Sequence, residues 1–249
     1  MLGPERCQGA GRSSMKASVR AAAWGVHLLT ASGAPAGLLA VMATVRGDAQ
    51  AAFAWMAYTI FVDAIDGALA RHFEVKRTMP TIDGARMDDC VDYFTWVVVP
   101  MFFVIHTAML PPALAVPVAA VVLVASAFGF ARTDAKTADH LFTGFPSYWN
   151  IVAFYLYLLE WPAAANAAVL VVLALGVFVP IRYVYPSRTE AMRPLTIALG
   201  VAWALSLSWA IVDLDARPKT IAYVSLLYPV YYVALSLVLT RRRPLAVRS

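Results

Sequence analysis

The chain has 249 residues, of which 61% are hydrophobic and only 14% charged, and it carries a net charge of +5. A soluble domain of this length runs nearer about one quarter charged. The apolar residues gather into long stretches with no Asp, Glu, Lys or Arg, which excludes a soluble enzyme, a nucleic-acid-binding domain and a disordered chain, and leaves an all-α, polytopic membrane protein.

A basic tail over 1–20, with Arg6, Arg12, Lys16 and Arg20, precedes the first predicted span at about 21–45. That run is longer than a signal-peptide core and reads as a retained helix. Seven further spans follow at about 49–71, 84–107, 109–131, 145–161, 163–181, 194–212 and 220–240, and a basic tail closes the chain over 241–249. The residues from 21 to 240 form a single membrane domain, without an internal repeat or a soluble insertion. Cys7 and Cys90 are too few for a disulfide framework, and Cys90 reads as a small buried thiol.

Eight spans place both termini on one side. That side carries 17 of the 20 basic residues; only Arg46, Arg217 and Lys219 fall on the other. The positive-inside rule makes the richer side cytoplasmic.

Acidic residues are scarce, yet Asp63, Asp66, Glu74, Asp83, Asp88, Asp89 and Asp92 crowd into one window. Spacings of three and four put Asp63 with Asp66 on one helix face, and Gly84, Asp88 and Asp92 on another. The two helices, the second and third spans, are consecutive, so these faces can oppose each other at their cytoplasmic ends. Each ionised carboxylate inside a span costs about 2.5–3.5 kcal/mol on insertion scales, so four together require cations. Ligands that are all oxygen select a hard divalent ion such as Mg²⁺, Mn²⁺ or Ca²⁺. Four carboxylates have the capacity for two ions about 3.5–4 Å apart. A charge network with Arg71, or an ion pathway of an ion-coupled transporter, accounts for the carboxylates alone. Gly67, Ala70 and Arg71 favour a phosphate site, because the glycine admits a ligand close to the backbone and the guanidinium grips phosphate oxygens.

The string Asp63-Ala-Ile-Asp66-Gly67-Ala-Leu-Ala70-Arg71, followed by Gly84-Ala-Arg-Met-Asp88-Asp-Cys-Val-Asp92, resembles the signature D-x-x-D-G-x-x-A-R…G-x-x-x-D-x-x-x-D of the CDP-alcohol phosphotransferase family. The twelve residues between Arg71 and Gly84 exceed the spacer of most members and look like the bacterial phosphatidylcholine synthase branch. His27-Leu-Leu-Thr30-Ala-Ser-Gly33, Phe142-Thr-Gly-Phe-Pro146-Ser-Tyr-Trp149-Asn150 and Arg193-Pro-Leu195 are similar to that branch too. The resemblance implies that Asp63, Asp66, Asp88 and Asp92 surround a pair of Mn²⁺ or Mg²⁺ ions and that Asp92 is also the general base. It implies that Gly67, Ala70, Arg71 and Gly84 line the nucleotide site, and that CDP-diacylglycerol and choline give phosphatidylcholine and CMP. A homodimer in the bacterial inner membrane, with both termini cytoplasmic, is implied as well. A sister enzyme acting on glycerol phosphate, inositol phosphate or serine is the nearest alternative.

A quaternary ammonium has no N–H and is held by aromatic faces and an anion. The cytoplasmic ends offer Tyr93, Trp96, Tyr148, Trp149, Tyr183 and Tyr185. Tyr148 or Trp149, with Asn150 nearby, is the candidate choline site; an interfacial belt is the competing reading of the same residues. His27 and Thr30 either contact the nucleotide or pack polar groups between helices. Asp89 is expected to pair with Arg86 or Lys76. Arg132, Lys136, Arg182, Arg188 and Arg193 read as positive-inside charges, or as contacts for lipid phosphates.

Overall fold

The computed structural model describes residues 5–132, 141–184, 192–216 and 219–242. Every apolar run read from the sequence is helical. In chain order the helices are α1 (Glu5–Ala31), α2 (Gly33–Val45), α3 (Ala49–His72), a short turn α4 (Val75–Thr78), α5 (Gly84–Asp92), α6 (Val99–His106), α7 (Pro112–Ala131), α8 (Trp149–Leu159), α9 (Ala163–Gly176), α10 (Arg193–Val212), α11 (Lys219–Ser225) and α12 (Leu227–Arg242). A π-helical turn, Tyr93–Val98, joins α5 to α6. Asp48 starts α3 by accepting from the Ala51 amide at 2.8 Å, and Asp83 starts α5 by accepting from Arg86 N at 3.2 Å.

Prolines account for three interruptions. A proline has no N–H for the carbonyl four residues back, and its ring clashes with that carbonyl. Pro35 acts on Ala31 where α1 gives way to α2, Pro229 acts on Ser225 where α11 gives way to α12, and Pro100 acts on Trp96 inside the π-helical turn. The helices on either side continue each other, so the breaks bend spans without ending them.

Among the described residues, six helical stretches are long and apolar enough to cross a membrane: Ser18–Val45, Ala49–His72, Gly84–His106, Pro112–Ala131, Arg193–Val212 and Lys219–Arg241. Two of the eight expected spans come out shorter. The run expected at 145–161 is helical only over Trp149–Leu159, and that at 163–181 only over Ala163–Gly176. At 1.5 Å per residue, α8 rises about 16 Å against a hydrocarbon core of about 30 Å. The missing turns are replaced by irregular backbone and by a strand pair absent from the all-helical expectation, β1 (Leu141–Thr143) antiparallel to β2 (Arg182–Val184), with Phe142 opposite Tyr183. Gly144 closes this corner: its φ is +87°, and a Cβ there would stand 2.1 Å from the Val177 carbonyl oxygen, so only glycine fits.

Hydrogen bonds sort the connections into two ends. At one end Gln50 donates to Val212 O, Asn166 donates to Met109 O, and Lys219 pairs with Glu160 at 2.5 Å. At the other, Arg132 reaches Val177 O, Gly144 N bonds Ile181 O, and the Arg182 amide donates to Thr240. The α3–α5 connection lies at this second end, and so do the start of α8 and the end of α12. The buried core lies between the ends, one part around Trp96, Val122, Trp149 and Leu170, the other around Phe53, Phe103, Phe154 and Leu158. By contrast α10 buries only Thr196 and Ala210, and its Leu195, Val201, Leu205 and Trp209 face outward, as lipid-facing residues do.

Candidate active site

Of the four aspartates of the double motif, Asp63 and Asp66 lie in the last turns of α3, Asp88 in the middle of α5 and Asp92 at its end. Close helix contact brings them together. A Cβ on Gly33 would stand 2.6 Å from Val91, and one on Gly37 would stand 2.6 Å from Phe94, so α2 lies directly against α5 and the π-helical turn. One carboxylate oxygen each from Asp63, Asp88 and Asp92 then falls within 4.8 Å of the others. A hard cation with ligand distances of about 2.0–2.6 Å spans such a set. Oxygen-only donors at this separation fit a hard divalent ion.

Asp66 stands slightly apart from the triad. It is buried, at 5% exposure, and accepts a 2.7 Å hydrogen bond from the Thr30 hydroxyl. Asp66 and Thr30 still line the same small cavity, of about 10 Å³, with Asp63, Asp88, Asp92 and Thr95. That space suits an ion or a water, and a diphosphate needs more. The larger space lies one turn beyond, an open cavity of about 430 Å³ lined by Ala70, Arg71, Glu74, Val75, Lys76 and Arg77. Val75 and Met79 anchor the far wall of that cavity by packing on Ala23 and Val26 of α1, so the long spacer folds back as a wall over the site.

The two motif glycines sit where side chains approach. The Arg71 guanidinium lies over Gly67, its Nη1 3.4 Å from where a Cβ would be, and the His27 ring lies 3.1 Å from the corresponding point on Gly84. His27 is buried, and its Nε2 has no hydrogen-bond partner. Arg86 pairs with Asp83 at 3.4 Å instead of the expected Asp89, which is exposed, because Asp83 is the N-cap three residues before it. Cys90 is exposed instead of buried, since it projects from the side of α5 away from the aspartates. Lys136, Tyr185 and Arg188 lie outside the described residues.

The three candidates for the alcohol separate. Trp149 is fully buried in the core, and its indole N–H donates to Ser126 at 2.8 Å. Asn150 is buried beside it; its Oδ1 accepts from the Ile151 amide, while its Nδ2 has no partner. Tyr148 is half-buried, with its ring 5.4 Å from that of Trp96. Tyr232, absent from the sequence-based candidates, joins the same group of rings at 6.5 Å from Tyr148. It lies in the last span, and only the fold brings it there.

Residues 27–180 match the CDP-alcohol phosphatidyltransferase family. The chain belongs to that family. It is 42% identical over 188 residues to a phosphatidylcholine synthase of Legionella pneumophila, covering 74% of each chain. It is 38% identical over 203 residues to a phosphatidylcholine synthase of Pseudomonas aeruginosa, covering 82% of this chain and 85% of the other. A phosphatidylcholine synthase of Bradyrhizobium diazoefficiens is 38% identical over 200 residues, covering 80% and 74%. The family match includes all four aspartates, and it ends before β2 and the last two spans.

Proposed function

We propose that this protein transfers the phosphatidyl group of CDP-diacylglycerol to choline, releasing CMP and forming phosphatidylcholine. The convergence of Asp63, Asp88 and Asp92 at one end of a membrane bundle is the observation that carries this reading. Relatives named phosphatidylcholine synthase at 42% and 38% identity support the acceptor.

Asp63, Asp66, Asp88 and Asp92 would hold two divalent cations, Mn²⁺ or Mg²⁺. Such ions, when bound, neutralise charge on the diphosphate as CMP departs. The remaining steps belong to side chains. Arg71, at the mouth of the larger cavity, grips phosphate oxygens bidentately. Gly67, Ala70 and Gly84 leave room for the nucleotide, and Thr30 fixes the Asp66 carboxylate by its hydrogen bond. Asp92 takes the proton of the choline hydroxyl as that oxygen attacks the phosphorus bearing diacylglycerol, in line with the bond to the CMP oxygen. Acyl chains remain in lipid, while choline and CMP exchange through the open end.

The same reading makes that end cytoplasmic in a bacterial inner membrane, because the eight-span reading of the sequence assigns 17 of the 20 basic residues to that side. The working unit is a homodimer, as the family resemblance implies.

The test uses purified protein with Mn²⁺ or Mg²⁺, CDP-diacylglycerol and labelled choline. Stoichiometric CMP and labelled phosphatidylcholine are expected. CMP release with inositol phosphate or glycerol phosphate but not with choline would overturn the acceptor, and no release with any alcohol would overturn the reaction.

A further inference from the structure

One feature of the site end has no part in the phosphoryl chemistry: a cluster of aromatic rings set in non-helical backbone. Trp96 stands four residues beyond Asp92, one turn along the π-helical segment. Its ring lies 5.4 Å from Tyr148, Tyr148 lies 6.5 Å from Tyr232, and Tyr232 stacks on Tyr183 at 6.0 Å with 24° between planes. Four elements supply these rings: the π-helical turn, the residue before α8, β2 and α12. Trp96, Tyr183 and Tyr232 are all at most 8% exposed.

The backbone makes the cluster unusual. Tyr148 lies where the expected 145–161 span gives up its first helical turn, and Tyr183 lies on β2, just past the end of the expected 163–181 span. Irregular backbone at membrane depth is tolerated only where it is buried in protein or lines a cavity. Here side chains of α12 satisfy it: Ser236 accepts from the Val184 amide, Thr240 accepts from the Arg182 amide, and the Tyr232 hydroxyl donates to Val184 O. With its hydroxyl committed to the backbone, Tyr232 offers a ligand its ring.

We infer that Trp96, Tyr148, Tyr183 and Tyr232 receive the quaternary ammonium of the acceptor and select it over other alcohols. The inference rests on the reading that the acceptor is choline. Two carbons separate choline's hydroxyl from its nitrogen, so the ammonium must lie within about one helical turn (~5.4 Å) of the group that takes the proton. Trp96, four residues beyond Asp92, is about one turn away along the helix. Nitrogen bearing only methyl groups donates no hydrogen bond, and the faces of Trp and Tyr within about 6 Å attract it through their quadrupoles. A phosphorylated alcohol would meet rings in place of cations.

The experiment measures CMP release with choline and with its uncharged isostere 3,3-dimethylbutan-1-ol, in the wild type and in Tyr148→Leu, Tyr232→Leu and Tyr148→Phe. In the wild type the KM for choline is expected to be at least tenfold below that for the isostere. Tyr148→Leu and Tyr232→Leu are each expected to raise the choline KM by roughly tenfold. The KM for CDP-diacylglycerol stays within twofold, and Tyr148→Phe, which keeps the ring, is expected to raise the choline KM less than Tyr148→Leu does. Equal wild-type KM values for choline and the isostere overturn the inference even if a variant fails to fold. Unchanged choline KM in both active Leu variants overturns it as well. A wild type that releases no CMP with choline overturns the underlying reaction, which is a different failure.

Discussion

The acidic region and the aromatic region share one end of the bundle and are built in opposite ways. Asp63, Asp66, Asp88 and Asp92 stand on the regular helices α3 and α5, and α2 presses against α5 at Gly33, so that backbone spacing sets the distances between oxygens. Tyr148 and Tyr183 stand on non-helical backbone, and side chains of α12 hold the strand that carries Tyr183. A cation with ligand distances fixed to a few tenths of an ångström requires the first kind of support. A soft, bulky ammonium is served by the second, in which ring faces set a shape without setting bond lengths. The comparison makes the acidic region intolerant of any change and the aromatic region tolerant of changes that keep a ring.

The largest effect falls on the acidic side. Asp92→Asn is expected to lower CMP release by about 10²–10⁴-fold, the usual contribution of a positioned base, while CDP-diacylglycerol still binds; single-turnover assays and equilibrium binding check it. Chelation with EDTA is expected to abolish turnover reversibly, with Mn²⁺ or Mg²⁺ restoring it. Next comes Thr30→Val, which frees Asp66 from its 2.7 Å bond. Hydrogen bonds to charged groups are worth about 1.5–3 kcal/mol, so turnover should drop by roughly 10- to 100-fold, and Thr30→Ser should recover most of it. Gly37→Ala forces apart α2 and the π-helical turn, since the new methyl meets Phe94 at 2.6 Å; thermal unfolding should reveal a loss of about 1–3 kcal/mol. The smallest functional effect belongs to Ser126→Ala, which removes the acceptor of the Trp149 indole. It should cost about 1–3 kcal/mol of stability and leave the choline KM unchanged, because Trp149 is buried in the core and lies outside the proposed ammonium site.

The sequence was most legible where chemistry and periodicity coincide. Carboxylates at three- and four-residue spacing inside apolar runs announce both their helix face and their need for cations, and the structure brings Asp63, Asp88 and Asp92 together at one end of the bundle. The eight helical runs were legible because a membrane demands them. Less legible were the ends of α8 and α9. No charged residue separates 145–148 or 177–181 from the helices they adjoin, so hydropathy extends both spans, while Pro146 and the left-handed Ser147 cut the first one short. The ring of Tyr232 was beyond reach for a different reason. It lies in the last span, and its meeting with Tyr148 is a tertiary event that no local pattern records. Arg86 illustrates a smaller case, in which an N-cap three residues back outcompeted the neighbour three residues on.

Direct cation binding is the measurement that bears most closely on the central claim. Mn²⁺ titrated into the purified protein and followed by electron paramagnetic resonance should give saturable binding in the wild type. That binding should be lost in a variant carrying Asp63→Asn and Asp88→Asn together, with the fold intact by circular dichroism. Equal Mn²⁺ binding by the wild type and the folded double variant would contradict it.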